Sequence, residues 1–202
     1  MHISEGVLSG PVLGAGAALA AAGTAVGLKT LDYEKIAGAA LLAAGFFVAS
    51  LIHVPLGPGN VHLILNGIVG LLLGWGAFPA LLVALLLQAV LFQYGGLTAL
   101  GVNVLIMAVP GLVCYYLFRS MLWKSARLRI AAGFGCGFLG VLLAGLIAAA
   151  ALVISEESFL EVAGLILAAH VPVMFIEGIV SASGVAFIHK VQPSLLPGGP
   201  PR

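Results

Sequence analysis

From Ile36 through Phe118 the sequence contains no Asp, Glu, Lys or Arg. That stretch is about four times the ~20 apolar residues that carry one helix across a roughly 30 Å hydrocarbon core. An ordinary soluble domain does not sustain such a run, because charged side chains make up roughly a quarter of its residues. Here only 7% of 202 residues are charged and 62% are hydrophobic. A soluble globular fold is excluded, and the chain is expected to be all-α, a polytopic bundle of transmembrane helices. Lipid offers backbone groups no hydrogen-bond partners, so each segment must satisfy its own.

Clusters of Gly, Pro and Asn, together with the few charges, divide the chain into about seven helical segments, roughly 7–28, 36–54, 61–76, 79–93, 98–118, 130–154 and 162–188. At 1.5 Å per residue the third and fourth reach only about 22–24 Å. They are expected to be buried by protein or to form a re-entrant pair. Placing the basic connection Arg119–Arg129 in the cytoplasm puts Lys29, Lys35, Lys124, Arg127, Lys190 and Arg202 on that same side. The acidic connection with Glu156, Glu157 and Glu161 falls opposite. The N-terminus is then outside, the C-terminus cytoplasmic, and the bilayer the cytoplasmic (inner) membrane. Residues 1–190 read as a single transmembrane domain, and the Pro/Gly-rich residues 191–202 as a flexible cytoplasmic tail.

A formal net charge of +1 without a basic cluster argues against a nucleic-acid partner. Cys114 and Cys136 lie in apolar stretches and read as buried small residues, not as a disulfide or thiolate site. No His-Glu-x-x-His or Gly-x-Ser-x-Gly motif is present, and neither Lys29-Thr30 nor Lys124-Ser125 completes a phosphate-binding loop. The chain reads as a non-enzyme without an ATP site of that type. The first segment is rich in small residues, with Gly10/Gly14 and Gly23/Gly27 at close-packing spacing. That surface closes the chain's own bundle or meets another membrane subunit. Gln88 and Asn103 are expected to make interhelical hydrogen bonds, and Trp75 and Trp123 to anchor at the interface. Glu177, in the last segment, must face protein or water. It reads as a protonated or snorkelling carboxyl near the inner interface, with metal passage or subunit contact as the other reading.

The start Met1-His2 carries the most specific chemistry. No basic region precedes the first apolar stretch, so cleavage as a signal peptide is not expected, and a bulky second residue protects Met1. An N-terminal X-His dipeptide offers the α-amine, the deprotonated amide of His2 and its imidazole Nδ1 to one metal. Only a metal that rewards planar strong-field nitrogen ligation displaces the amide proton, which points to Ni(II) or Cu(II). A fourth nitrogen is required. The topology puts His53 and His62 on the same face as the N-terminus. His62 is the better fourth ligand, with Asn60 or Asn66 as hydrogen-bond partners of the ligands. His53 is the secondary candidate: it binds directly, hydrogen-bonds a ligand, or receives metal on entry.

The stretches Met1-His2-Ile3-Ser4-Glu5-Gly6, Ser50-Leu51-Ile52-His53-Val54-Pro55-Leu56-Gly57-Pro58-Gly59-Asn60-Val61-His62-Leu63 and Gln88–Asn103, the last containing Gln93-Tyr94-Gly95-Gly96, resemble the CbiM/NikM family. Its members are the substrate-binding membrane components of cobalt and nickel energy-coupling factor (ECF) transporters. The resemblance runs through at least residues 1–118; Ser4 departs from the Pro or Met of many relatives, at a position that is not a ligand. It implies that the N-terminal tail, residues 1–6, inserts into the bundle. Metal then sits in a planar nitrogen set that maps onto Met1, His2 and His62, with His53 nearby. It further implies a transmembrane coupling protein, two cytoplasmic ATP-binding subunits and often a small accessory membrane protein as partners, with Ni(II) or Co(II) as transported substrate. A non-translocating membrane metal sensor, or a standalone channel or carrier, is the competing reading of the same residues.

Overall fold

The computed structural model describes residues 2–32, 36–56 and 59–199. After an irregular tail, α1 (Gly10–Thr30) and α2 (Ile36–Leu51) lead into a hairpin of β1 (His53–Leu56) and β2 (Gly59–His62). Then follow α3 (Asn66–Leu73), a 3-10 turn at Gly74–Gly76, α4 (Ala77–Phe92), α5 (Leu100–Phe118), α6 (Ala126–Ser155) and α7 (Leu160–Val191). Local chemistry sets several of these ends. Pro11 sits in the first turn of α1, where its missing N–H costs no helical hydrogen bond. Ser125 caps α6 by accepting from the Leu128 N–H at 3.2 Å.

Among the described residues, five stretches are long and apolar enough to cross a membrane, and α2 is a shorter apolar helix. One of the five, Asn66–Phe92, is two limbs. Asn66 Nδ2 donates to the Met107 carbonyl at 3.3 Å, Gly70 abuts Gly111, and Gly74 lies against the Tyr115 ring. The constant offset makes α3 and α5 parallel. Gly74, at φ 55, breaks the run. α4 then returns: Pro79 near its start packs on Gly27 of α1, and Gln88 near its end donates to the Ser50 hydroxyl in the last turn of α2. The third and fourth segments therefore go in and come back, buried by protein. The third differs from its expected bounds, because residues 59–62 are strand and the helix starts only at Asn66.

Glycines bring the helices together. A Cβ on Gly70 would fall on the Gly111 backbone, and one on Gly67 on the Cys136 carbonyl. On the long pair α6 and α7, Gly133 meets Ala182 and Gly137 meets the Glu177 carbonyl. Such spacing replaces the hydrophobic drive that lipid does not supply with backbone contact. In α1 the small residues divide: Gly23 and Gly27 pack on Phe78 and Pro79, while a Cβ on Gly10 or Gly14 would meet no other element within 4 Å among the described residues. Cys114 and Cys136 are free and buried.

The two ends of the bundle differ in charge. Lys29, Arg119, Lys124, Arg127, Arg129 and Lys190 lie at one end, where α1, α5 and α7 finish and α6 begins. His2 and the acidic connection Glu156–Glu161 lie at the other, where the Ser9 N–H donates to Ser155 Oγ at 3.1 Å. The tail expected to be flexible from residue 191 contains a docked stretch. Leu196 is buried, and Trp123 Nε1 donates to the Pro197 carbonyl at 2.9 Å.

Candidate metal site

Two stretches of irregular backbone meet at the His2 end. The first is the N-terminal tail. Ile3 and Leu8 bury their side chains and anchor it, with Gly6 at φ 77 turning the chain between them. Asn103, in the first turn of α5, clamps the backbone: its Oδ1 accepts from the Ile3 N–H at 2.9 Å and its Nδ2 donates to the Ile3 carbonyl at 3.0 Å. A side-chain amide presents an NH2 donor beside a carbonyl acceptor, so it pairs with an extended residue as a neighbouring strand would. The connection from α4 to α5 wraps over the tail. Gly95 and Gly96 have φ of 76 and 82; a Cβ on the first would lie 2.6 Å from Asn103 Nδ2, and one on the second would strike the Glu5 side chain. Glu5 Oε1 accepts from the Thr98 N–H at 3.0 Å, and the Thr98 and Leu97 amides hold this carboxyl below the usual carboxylate range.

The second stretch is the hairpin and residues 63–65. Antiparallel register puts His53 directly across from His62. Beyond His62 the backbone turns through Leu65 at φ 51, a left-handed conformation that costs an L-residue about 1–2 kcal/mol. The carboxylate of Glu177, fully buried on α7, offsets that cost: it accepts from the Ile64 N–H, and from the Leu65 N–H at 3.1 Å to each oxygen. These amides precede α3, where no carbonyl of the helix can take them.

The outcome is a pair of imidazoles. The His2 and His62 rings lie 5.2 Å apart between centroids and 26° from parallel, with Tyr94 6.4 Å from His2 on the ring face. His62 Nδ1 is 2.9 Å from the Leu63 carbonyl. A carbonyl only accepts, so this contact is a hydrogen bond when Nδ1 carries the proton, which in a neutral ring leaves the lone pair on Nε2. Among the described residues no three His, Cys, Asp or Glu side chains gather into a cage.

Met1 and the side chains of His53 and Asn60 lie outside the described residues. Asn66 directs its amide to the carbonyls of Met107 and Gly140, at 3.3 and 3.2 Å, and so ties α3 to α5 and α6. His170 is buried in α7 with Nδ1 2.7 Å from the Ile166 carbonyl, and His189 lies against Trp123 at the far end. Sequence reasoning missed three contributors. Asn103 bonds the tail at Ile3 where a bond between helices was expected, Glu177 is fully buried and does not snorkel, and Glu5 was passed over. Tyr94, Gly95, Gly96 and Asn103 all fall inside the Gln88–Asn103 motif, which was the available signal.

A model of the cobalt uptake substrate-specific transmembrane region, CbiM, matches residues 2–195. The chain belongs to the CbiM family. Family resemblance also shows in individual proteins. A candidate metal transport protein of Haemophilus influenzae is 48% identical over 199 residues, 97% of each chain. The fused nickel transport protein NikMN of Rhodobacter capsulatus is 34% identical across 97% of this chain and 64% of its own length. The cobalt transport protein CbiM of Geobacter sulfurreducens is 32% identical across 97% of this chain and 61% of its own. The crystal structure of a truncated transition metal transporter superposes with a TM-score of 0.79 at 26% identity, covering 94% of this chain and 99% of that one. The CbiM family is one of cobalt and nickel transport membrane components, and the multi-pass helical fold agrees with that.

Proposed function

We propose that this CbiM-family chain is the substrate-capture membrane subunit of an ATP-driven, ECF-type uptake transporter for Ni(II) or Co(II). Metal is held by the Met1 amine, the His2 amide and imidazole, and His62, with His53 as a secondary ligand on entry and Asn60 beside the ligands. The observation that carries this reading is the approach of His2 and His62, from opposite ends of a 60-residue stretch, to 5.2 Å. Two imidazoles cis on one metal, with metal–nitrogen distances of about 2.0–2.1 Å, have ring centroids roughly 4.5 Å apart, near the separation of these two rings. A planar nitrogen set favours Ni(II) over Co(II).

Residues 1–190 act as one transmembrane unit in the cytoplasmic membrane. The basic end faces the cytoplasm and the His2 end faces outside, in keeping with the bias of Lys and Arg toward the cytoplasmic side. ATP hydrolysis is assigned to two partner subunits joined through a transmembrane coupling protein, with or without a small accessory membrane subunit. The chain itself is not a catalyst.

Ni(II) and Co(II) titrations of the purified protein test the site. His2→Ala and His62→Ala should each abolish tight binding; full retention in either overturns the ligand set. Metal uptake into cells should also require a co-expressed coupling protein and ATPase pair. Uptake without any ATPase would replace the ECF reading with a channel or carrier.

A further inference from the structure

The peptide unit between Leu63 and Ile64 is hydrogen-bonded on both sides, to a different side chain on each. A trans peptide is planar, with its N–H and C=O pointing to opposite sides. Its N–H donates to Glu177 Oε1, and its C=O accepts from His62 Nδ1 at 2.9 Å. We propose that Glu177 is a positioning residue that works through this peptide, holding His62 as the Nδ1–H tautomer with Nε2 turned to the metal. That the ligand is a metal rests on the function proposed above; the tautomer does not.

The carboxylate is well placed for this. It is fully buried. The α7 backbone at Glu177 is pressed against Gly137 of α6, where no Cβ would fit. The peptide is held from the next residue as well, because the Leu65 N–H reaches both Glu177 oxygens at 3.1 Å. Below it, α3 is fixed by the Asn66 amide on the Met107 and Gly140 carbonyls. Leu63 therefore cannot turn its carbonyl away from His62 without breaking bonds to Glu177. Metal-bound histidines commonly donate their second nitrogen to a carboxylate or to a backbone carbonyl, which fixes the ring and raises its basicity. Here the two stand in series, and hydrogen bonds in a chain polarise one another. The function of His62 would then depend on a residue of α7 more than a hundred positions away.

The test uses the full chain in detergent micelles, labelled with 15N-histidine and held at pH 8.5, where neutral imidazole dominates. His62→Ala assigns the His62 signals. In the metal-free wild type, His62 should appear as a single Nδ1–H tautomer. In Glu177→Gln, one oxygen is replaced by an NH2 that faces backbone N–H groups, so His62 should become a mixture of tautomers and nickel affinity should fall about 10- to 100-fold. Circular dichroism confirms that the variant is folded, and Glu177→Asp replaces it if it is not. An unchanged tautomer in a folded variant overturns the proposal, whatever nickel does. A mixed tautomer supports the positioning role whatever nickel does, because an even mixture by itself costs only about twofold in affinity, and His62→Ala alone decides whether His62 is a ligand. Tight nickel binding retained in His62→Ala overturns the metal reading and leaves the tautomer result to stand.

Discussion

The N-terminal tail and residues 63–65 are both irregular backbone inside a helical bundle, and each is fastened by one buried polar side chain from a long helix. The side chains differ because the orphaned groups differ. Ile3 presents one N–H and one C=O, and the Asn103 amide answers both. Ile64 and Leu65 lie ahead of a helix and present only N–H groups, which the Glu177 carboxylate accepts with two oxygens. Exchanging Asn for Glu would leave a donor or an acceptor unanswered at either place. The fastenings also differ in depth. Glu177 is fully buried, whereas the tail's second tie runs from the exposed Glu5 to the Thr98 amide.

The largest effect separates the two halves outright. One glycine added before Met1 leaves residues 63–65 and their bonds untouched but moves the α-amine out of reach of the chelate. Tight Ni(II) binding in titration should disappear while thermal stability stays unchanged. Equal affinity with and without the extra residue would mean that the tail contributes no amine, and would return the search to His53, His62 and His170.

Next in size is the clamp itself. Asn103→Ala leaves a buried N–H and C=O of Ile3 unpaired, at about 1–3 kcal/mol for each group. The docked tail should be lost by about tenfold or more, read as weaker nickel affinity and faster hydrogen exchange at the Ile3 amide. Asn103→Asp sharpens the comparison. It keeps an acceptor for the Ile3 N–H and sets a carboxylate oxygen against the Ile3 carbonyl, so it should perform no better than Ala. Wild-type behaviour in Asn103→Asp would show that donation to the carbonyl is dispensable and that the two fastenings are chemically alike.

Gly95→Ala tests the cover over the tail. Gly95 has φ 76, and the new Cβ would stand 2.6 Å from Asn103 Nδ2. The left-handed backbone alone costs about 1–2 kcal/mol, which for a chain of this size lowers Tm by roughly 2–8 °C. Gly14→Ala is the matched control, where the new Cβ would meet no other element within 4 Å among the described residues and the backbone is helical. If the two variants melt together, the backbone at Gly95 is not held left-handed over the tail.

How far the sequence carries differs for fold and site. Helices α1, α2 and α4 to α7 were legible because length and apolarity are what a bilayer demands of them. Residues 52–65 were not, since Ile52, Val54, Leu56, Val61 and Leu63 are as apolar in a hairpin as in a helix, and the segment expected to be helical from 61 begins its helix at Asn66. The meeting of His2 and His62 was legible from chelate chemistry and loop counting. The roles of Asn103 and Glu177 were not. Their partners are backbone groups of Ile3, Ile64 and Leu65, and every non-proline residue has the same backbone groups, so nothing in the partner's identity marks the pairing. The reversal between the third and fourth segments was legible, but its place at Gly74 was not, for a related reason. A glycine shows that a turn is permitted, and only the packing of Gly70 on Gly111 and Gly74 on Tyr115 shows where α3 must stop.

The smallest effect probes the exposed end of the tail's fastening through pH. The Thr98 amide, followed by that of Leu97, holds the Glu5 carboxyl below its ordinary value. A carboxyl whose value is lowered in the docked state favours docking above its ordinary range and loses that contribution as pH falls through the lowered value. The Asn103 clamp has no such dependence, because an amide does not titrate. Hydrogen exchange at Thr98, followed from pH 6 down to pH 3 in metal-free protein, should therefore accelerate relative to the intrinsic rate. Ile3 amide protection should change much less over the same range. In Glu5→Gln the acceleration at Thr98 should be present already at pH 6 and should no longer depend on pH. Coincident loss of protection at Thr98 and Ile3 would show that the tail releases as one unit, with Glu5 and Asn103 as a single latch, and a flat profile at Thr98 in the wild type would remove Glu5 from the fastening altogether.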